Sequence, residues 1–195
     1  MNINEYQFKS RRTFPFQGRP KNYTEMNWLL SNYSLGLIGE AIEVFEVFVN
    51  GIVFEKDLEE FIYEIGDVTH YAAGLASIYQ LKLPTEYPTP NGKVEEWIAE
   101  LLINCKTISE FTKKNVYHRK DVIFPHESLN EVFVLCAAIA KHYGYEYGQV
   151  MQMNIDKLKI RRPEAINAEY SKKACGYGVV DKKCAVKETN CQGSD

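Results

Sequence analysis

Two pairs of acidic residues, each pair three positions apart, are the strongest chemical signal in this chain. They are Glu40 with Glu43 and Glu64 with Asp67. Residues three apart in an α-helix lie roughly 60° apart around its axis, so each pair projects from one side of its helix. A shift of 24 positions superimposes the second pair and its apolar neighbours on the first. Antiparallel packing of the two apolar stripes would therefore bring four carboxylates together at the edge of the core.

Four carboxylates in such a place would need a cation between them, because their charges would repel one another by several kcal/mol. Oxygen ligands favour Mg²⁺ or Mn²⁺ over zinc. Mg²⁺ keeps water ligands and usually completes its coordination with substrate phosphate, which indicates phosphoryl chemistry. The alternative is that both pairs are ordinary solvated charges on helix surfaces. The matched register favours the metal site.

A row of nitrogen donors near residue 160 is the second chemical signal. Asn154, Lys157 and Arg161 follow spacings of three and four, which places an amide, an ammonium and a guanidinium along one helix face. Such donors suit phosphate oxygens, and arginine can bind them in a bidentate manner. The alternative is that cations near a helix C-terminus simply interact favourably with the helix dipole. The row becomes a candidate phosphate-binding arm when it lies beside the acidic residues.

The apolar periodicity predicts that these side chains are carried by an all-α bundle of five or six helices. A connector at residues 84–92, rich in proline, separates residues 1–83 from residues 93–170. We expect Ser128 and Glu131 to form a capping box at the start of one helix. Residues 171–195 have no periodicity and are expected to be a poorly ordered tail. The expected helices are Asn4–Arg12, Thr24–Val49, Asp57–Tyr79, Trp97–Lys114, Ser128–Gly144 and Tyr147–Arg161.

Composition excludes several classes of function. The 195 residues are 45% hydrophobic and 25% charged, which is typical of a globular domain. The net charge of −3 argues against general binding to a nucleic-acid polymer, which needs a basic excess. No apolar run is long enough to span a membrane, and the N-terminus does not resemble a signal peptide. The five cysteines lack a Cys-x-x-Cys pair, so neither a zinc site nor a disulfide framework is indicated, and we expect a cytoplasmic location.

The acidic motifs, together with both ends of the predicted bundle, resemble the MazG-type all-α nucleoside triphosphate pyrophosphohydrolases. That superfamily includes dimeric dUTPases and dCTPases. The similarity covers about residues 1–170 as a single domain. The segments that carry it are Gly36–Val44, Glu64–Val68 with Tyr71, Asn4–Gln7, and Asn154–Leu158 with Arg161–Pro163.

The resemblance implies hydrolysis of a (deoxy)nucleoside triphosphate to the monophosphate and pyrophosphate, with Mg²⁺ as cofactor and Mn²⁺ as a substitute. It implies four carboxylates that are catalytic and bind the metal: Glu40, Glu43, Glu64 and Asp67. It implies four substrate-binding residues: Asn154, Lys157, Arg161 and Lys113. The resemblance leaves open whether the protein is a homodimer and which base and sugar it prefers. It also leaves open whether the protein removes damaged nucleotides or controls the nucleotide pool.

Residues 93–170 look like a second, degenerate copy of the first half, which predicts a pseudo-duplicated four-helix core. Asn104 and Thr107 occupy the places of Glu40 and Glu43, and Glu131 and Val134 those of Glu64 and Asp67. One intact site would then be assembled across both halves. The lost carboxylates leave open a non-enzymatic alternative, a nucleotide-binding or helical interaction protein.

A di-iron carboxylate bundle is a further alternative, because Asp67 and His70 form an Asp-x-x-His motif. No second motif of this kind exists in the sequence, so we expect His70 on the helix surface or behind the carboxylates. Trp28, Tyr33 and Tyr71 could stack on a nucleobase, although aromatic residues at helical spacing are more often part of a core.

Overall fold

A computed structural model of the chain describes residues 1–14, 20–83 and 85–162. The described residues are predominantly helical and contain no β-strand, which confirms the all-α prediction. A 3₁₀ turn (Arg11–Thr13) follows the first helix, and a π-helical turn (Lys113–Tyr117) extends the fourth. The expected tail at residues 171–195 lies outside the described residues. The helices are α1 (Ile3–Ser10), α2 (Tyr23–Asn50), α3 (Glu55–Ile78), α4 (Val94–Thr112), α5 (His126–His142) and α6 (Tyr147–Arg161).

Local sequence explains where the two central helices begin and end. The side chain of Asn22 caps α2 by accepting a hydrogen bond of 2.9 Å from the backbone N–H of Glu25. Gly51 ends α2 with a φ of 89°, a conformation that favours glycine. Asp57 caps α3 by accepting a hydrogen bond of 2.9 Å from the backbone N–H of Phe54. The short loop between the two caps makes α2 and α3 an antiparallel pair.

The predicted start of α5 is wrong by two residues. The helix begins at His126, and Ser128 lies inside its first turn instead of capping it. The carbonyl of Pro125 accepts the first helical hydrogen bond, from the backbone N–H of Leu129 at 3.2 Å. Proline fits at this place because the first helical residues need no intrahelical N–H donor.

The core lies between two helix pairs. Helix α2 packs along α3, α4 packs along α5, and the pairs meet through α2 with α4 and α3 with α5. Helices α1 and α6 cover α3 from one side. This arrangement is the one that two equivalent halves around one core would require, and the duplication itself stays a prediction. The predicted apolar stripe of α3 is fully buried: Phe61, Ile65, Val68, Ala72 and Leu75.

The described helices do not include one with the length and apolar character needed to cross a membrane. Cys105 and Cys136 are buried free thiols.

Candidate functional site

Three of the four predicted carboxylates come together where α2 and α3 pack. Glu40 and Glu43 on α2 and Glu64 on α3 each offer an oxygen, and these oxygens lie within 4.8 Å of one another. Glu40 and Glu64 are half-buried, whereas Glu43 is exposed. We call these three side chains the carboxylate cluster. The cluster forms because both acidic pairs flank apolar stripes that pack on each other, as the matched register predicted.

Among the described residues, no lysine or arginine forms an ion pair with a carboxylate of this cluster. Burial raises the pKa of Glu40 to about 8, and the charges of Asp67 and Glu43 contribute to the rise. Burial also raises the pKa of Glu64, although the nearby Lys157 ammonium opposes the shift. A cation held between these groups would favour their ionised forms. Hard oxygen donors of this kind fit Mg²⁺ or Mn²⁺.

Asp67 lies beside the carboxylate cluster but is already paired. Its side chain is largely buried, one helical turn beyond Glu64. The side-chain amide of Asn154 donates to Oδ1 of Asp67 over 2.6 Å. The Lys157 ammonium donates to Oδ2 and forms an ion pair with it. The sequence predicted that four carboxylates converge. In the structure three of them come together, whereas the fourth, Asp67, is bonded to side chains of α6.

A buried hydrogen-bond relay holds α6 against α3. Asn154 is 1% exposed, and its Oδ1 accepts a hydrogen bond of 2.7 Å from the hydroxyl of Tyr6 on α1. Gly66 allows the close approach, because a Cβ at this position would lie 3.2 Å from the Cβ of Asn154. A role for Tyr6 was not evident from the sequence. Its only signal was its place within the opening Asn4–Gln7 motif, since a contact between residues 148 positions apart has no local pattern.

Lys157 and Arg161 on α6 line cavities beside the cluster, whereas Asn154, the third predicted donor, is buried and lines neither, so its predicted contact with substrate is wrong. A cavity of about 740 Å³ lies along α3 and α6 and is lined by Glu64, Lys157 and Arg161. A second cavity, of about 300 Å³, is lined by Glu40, Asp67 and Arg161 and by four aromatic side chains. Arg161 therefore borders both cavities. The aromatic side chains are Trp28, Tyr33, His70 and Tyr71.

Two of the aromatic rings that line the smaller cavity pack directly on glycines. The ring of Tyr71 covers Gly36 and the ring of Tyr33 covers Gly74, where an added Cβ would come within 2.2 Å and 2.1 Å of ring carbons. Tyr33 is buried and Tyr71 is half-buried, so both serve the packing as well as the cavity. Trp28 is 48% exposed and is the most accessible of these aromatic rings. The structure thus unites the three aromatic residues that the sequence singled out.

His70, which lines the same cavity, is neutral. Burial lowers the pKa of its imidazole to about 4. Its Nδ1 is buried and has no hydrogen-bond partner among the described residues. The one cluster of potential metal ligands in the described chain consists of Glu40, Glu43 and Glu64 and contains no histidine. The arrangement required for a di-iron centre is therefore not seen there.

The remaining predicted residues lie apart from the cluster. Lys113 is exposed at the start of the π-helical turn and lines neither cavity. Asn104 and Thr107, the predicted counterparts of Glu40 and Glu43, donate to carbonyls of their own helix at 2.9 Å. The described part of the second half offers no carboxylate cluster.

No protein-family model, curated protein or solved structure matches this chain. The geometry of the site therefore carries the functional argument.

Proposed function

We propose that this chain is a Mg²⁺-dependent nucleoside triphosphate pyrophosphohydrolase of the MazG type. The observation that carries the proposal is the juxtaposition of a carboxylate cluster with two basic side chains on the neighbouring helix. Glu40, Glu43 and Glu64 supply hard oxygen ligands. Lys157 and Arg161 line a cavity that also reaches Glu64. Metal ligands next to phosphate-binding cations are the common requirement of enzymes that cleave phosphoanhydrides.

The reaction needs a water nucleophile, a place for its proton and compensation of the charge on the phosphates. A bound Mg²⁺ would neutralise phosphate charge and lower the pKa of a water molecule. One of the cluster glutamates takes the proton while the water oxygen bonds to the α-phosphorus. The bond from that phosphorus to the bridging oxygen breaks, and pyrophosphate leaves. Lys157 and Arg161 stabilise the negative charge on the departing group.

The smaller cavity suits the nucleoside end of the substrate. Its aromatic side chains can stack on a base, and Trp28 is accessible enough to do so. Its volume of about 300 Å³ lies at the lower end of the range for small-molecule pockets. Glu40 and Asp67 line the same cavity, so a nucleoside bound there would have its phosphates next to the cluster.

A catalytically inactive nucleotide-binding protein is the second candidate. Asn104 and Thr107 favour it, because neutral side chains stand where a second pair of carboxylates would complete the duplication. The two candidates differ in turnover and not in binding. Binding of a nucleotide without release of pyrophosphate would favour the second.

Pyrophosphate release should be measured with each common NTP and dNTP and with modified nucleotides, in the presence of Mg²⁺ or Mn²⁺. We expect metal-dependent release with a deoxynucleotide and none in EDTA. Glu64→Gln, which removes a ligand from the cluster, should abolish release, whereas Glu46→Gln, at an exposed position of α2 that lines neither cavity, serves as the control. Absence of release from every nucleotide would contradict the proposal.

The same proposal includes a cytoplasmic location, where the nucleotide pool is found and buried thiols such as Cys105 and Cys136 stay reduced. A homodimer remains a prediction, and light scattering coupled to gel filtration would measure it directly.

A further inference from the structure

We propose that Lys157 is a built-in counter-cation for Asp67, which a divalent metal ion displaces when it binds the carboxylate cluster. Displacement would free one oxygen of Asp67 as an additional ligand and direct the Lys157 ammonium towards the cavity. The inference rests on the metal site of the proposed function, but it concerns how that site is filled and not which reaction follows.

The uneven distribution of charge is the first argument. Four acidic side chains lie close together, yet the one ion pair among them joins Lys157 to Asp67 in the described structure. The side chains of Lys157 and Asp67 are only 19% and 12% exposed, so this pair is shielded from solvent, unlike an ordinary surface ion pair. The ammonium thus supplies positive charge beside the position where a metal ion would bind.

The two oxygens of Asp67 are held in different ways, which is the second argument. Oδ1 is bonded to Asn154, whose own amide is fixed by Tyr6 in a fully buried relay. Oδ2 is bonded to Lys157, whose ammonium ends a flexible chain of four methylene groups. Oδ2 can therefore lose its partner while Asn154 keeps the carboxylate in place.

The third argument is that the larger cavity can accommodate the Lys157 ammonium after it leaves Asp67. Lys157 lines the larger cavity together with Arg161. Its ammonium lies 5.6 Å from the centre of the Tyr63 ring, which can stabilise a cation on that side. A small rotation of the side chain would move the charge from Asp67 to the cavity, where phosphate oxygens can accept its hydrogen bonds.

If the ammonium and the metal compete for Asp67, removal of the ammonium must strengthen metal binding. We would titrate the full chain with Mn²⁺ alone, without nucleotide, by isothermal titration calorimetry. Lys157→Met should lower the dissociation constant for Mn²⁺ by about fivefold or more, the lower end of common coupling between sites. Lys157→Arg keeps the charge and can bind the carboxylate in a bidentate manner, so it should bind Mn²⁺ no more tightly than the unaltered protein.

Arg161→Met is the matched control for a general loss of positive charge. It removes a cation one turn further along α6 that has no ion pair with Asp67, so its effect should stay within about twofold because exposed charges are screened. Equal tightening by Arg161→Met and Lys157→Met would overturn the proposal, as would Lys157→Met that binds Mn²⁺ like the unaltered protein.

A measurement on the unaltered protein avoids dependence on how well a variant folds. The lysine side-chain ¹H–¹⁵N spectrum should show the Nζ signal of Lys157 shifting when Mg²⁺ is added, and an unchanged signal at saturating Mg²⁺ would contradict displacement. Pyrophosphate release without the expected effects at Lys157 would overturn this inference alone. No Mn²⁺ binding by any variant would overturn the proposed function as well.

Discussion

Asn154 on α6 donates its side-chain amide to Asp67 on α3 over 2.6 Å, which joins two residues 87 positions apart in the chain. The bond is buried, and Tyr6 on α1 donates to the other end of the same amide over 2.7 Å. Three helices are thereby connected through one side chain. The relay brings the cations of α6 next to the acids of α2 and α3, so the site depends on it.

Loss of this amide should destabilise the protein. Asn154→Ala leaves Oδ1 of Asp67 and the hydroxyl of Tyr6 without their buried partner, and we expect the free energy of unfolding to fall by about 1–3 kcal/mol. Asn104→Ala is the control, because its exposed amide bonds only to a carbonyl of its own helix. Urea unfolding of both variants measures the difference. Equal stability of the two would show that the relay contributes nothing.

Gly39, which precedes Glu40, and Gly66, which precedes Asp67, should respond in opposite ways to substitution by alanine. Gly39 has open space at its Cβ position, so Gly39→Ala should raise the free energy of unfolding by about 0.5–1 kcal/mol, as usual within a helix. At Gly66 the new Cβ would press on Asn154 at 3.2 Å. Gly66→Ala should therefore lower stability by about 1 kcal/mol or more. Thermal and urea unfolding test the pair, and stabilisation by Gly66→Ala would contradict the close approach of α6.

The metal-free protein should lose stability as the pH rises. The folded state raises the pKa of Glu40 to about 8, whereas an unfolded glutamate titrates near about 4.3. Between these values the folded state binds more protons than the unfolded state, so its stability is greatest at the acidic end and declines towards pH 8. Urea unfolding in EDTA at pH 5.5 and pH 8.5 measures the decline.

Glu40→Gln should make this decline shallower, because the amide does not titrate. Glu46→Gln, on the exposed part of the same helix, should leave it unchanged. Saturating Mg²⁺ should also reduce it in the unaltered protein, since a bound cation favours the ionised carboxylates. A decline equally steep in Glu40→Gln would mean that other groups cause it.

Substitutions at Asp67 and Glu131 test whether the protein has one catalytic site or two. Asp67→Asn should lower metal-dependent turnover by roughly 100-fold or more, the scale on which loss of one charge-stabilising group acts. Glu131→Gln should leave turnover within about threefold, because the described second half holds no carboxylate cluster for it to join. Steady-state pyrophosphate release compares the two, and similar losses would mean that both halves carry a working site.

Periodicity alone determined the helices and the faces that they bury. The stripe from Phe61 to Leu75 repeats every three or four residues, and only an α-helix places such residues on one face. Each acidic pair lies beside an apolar stripe of its helix, so packing of the stripes also brings the acids together. Glu40, Glu43 and Glu64 therefore meet as the register predicted. The predicted start of α5 was wrong, because Ser128 and Glu131 match a capping box although they lie inside a helix that begins at His126.

Only the tertiary structure determined which hydrogen-bond and ion-pair partners the charged side chains of the site have. The spacing placed Asp67 beside Glu64, but it could not show that α6 crosses α3 closely enough for Asn154 and Lys157 to bind both oxygens of Asp67. The family resemblance implied that Lys113 binds substrate together with the cations of α6, whereas the structure leaves Lys113 exposed and away from both cavities. Helical periodicity is a local property of neighbouring residues. The pairing of charges depends on distances between helices far apart in the chain, and packing at positions such as Gly66 sets those distances.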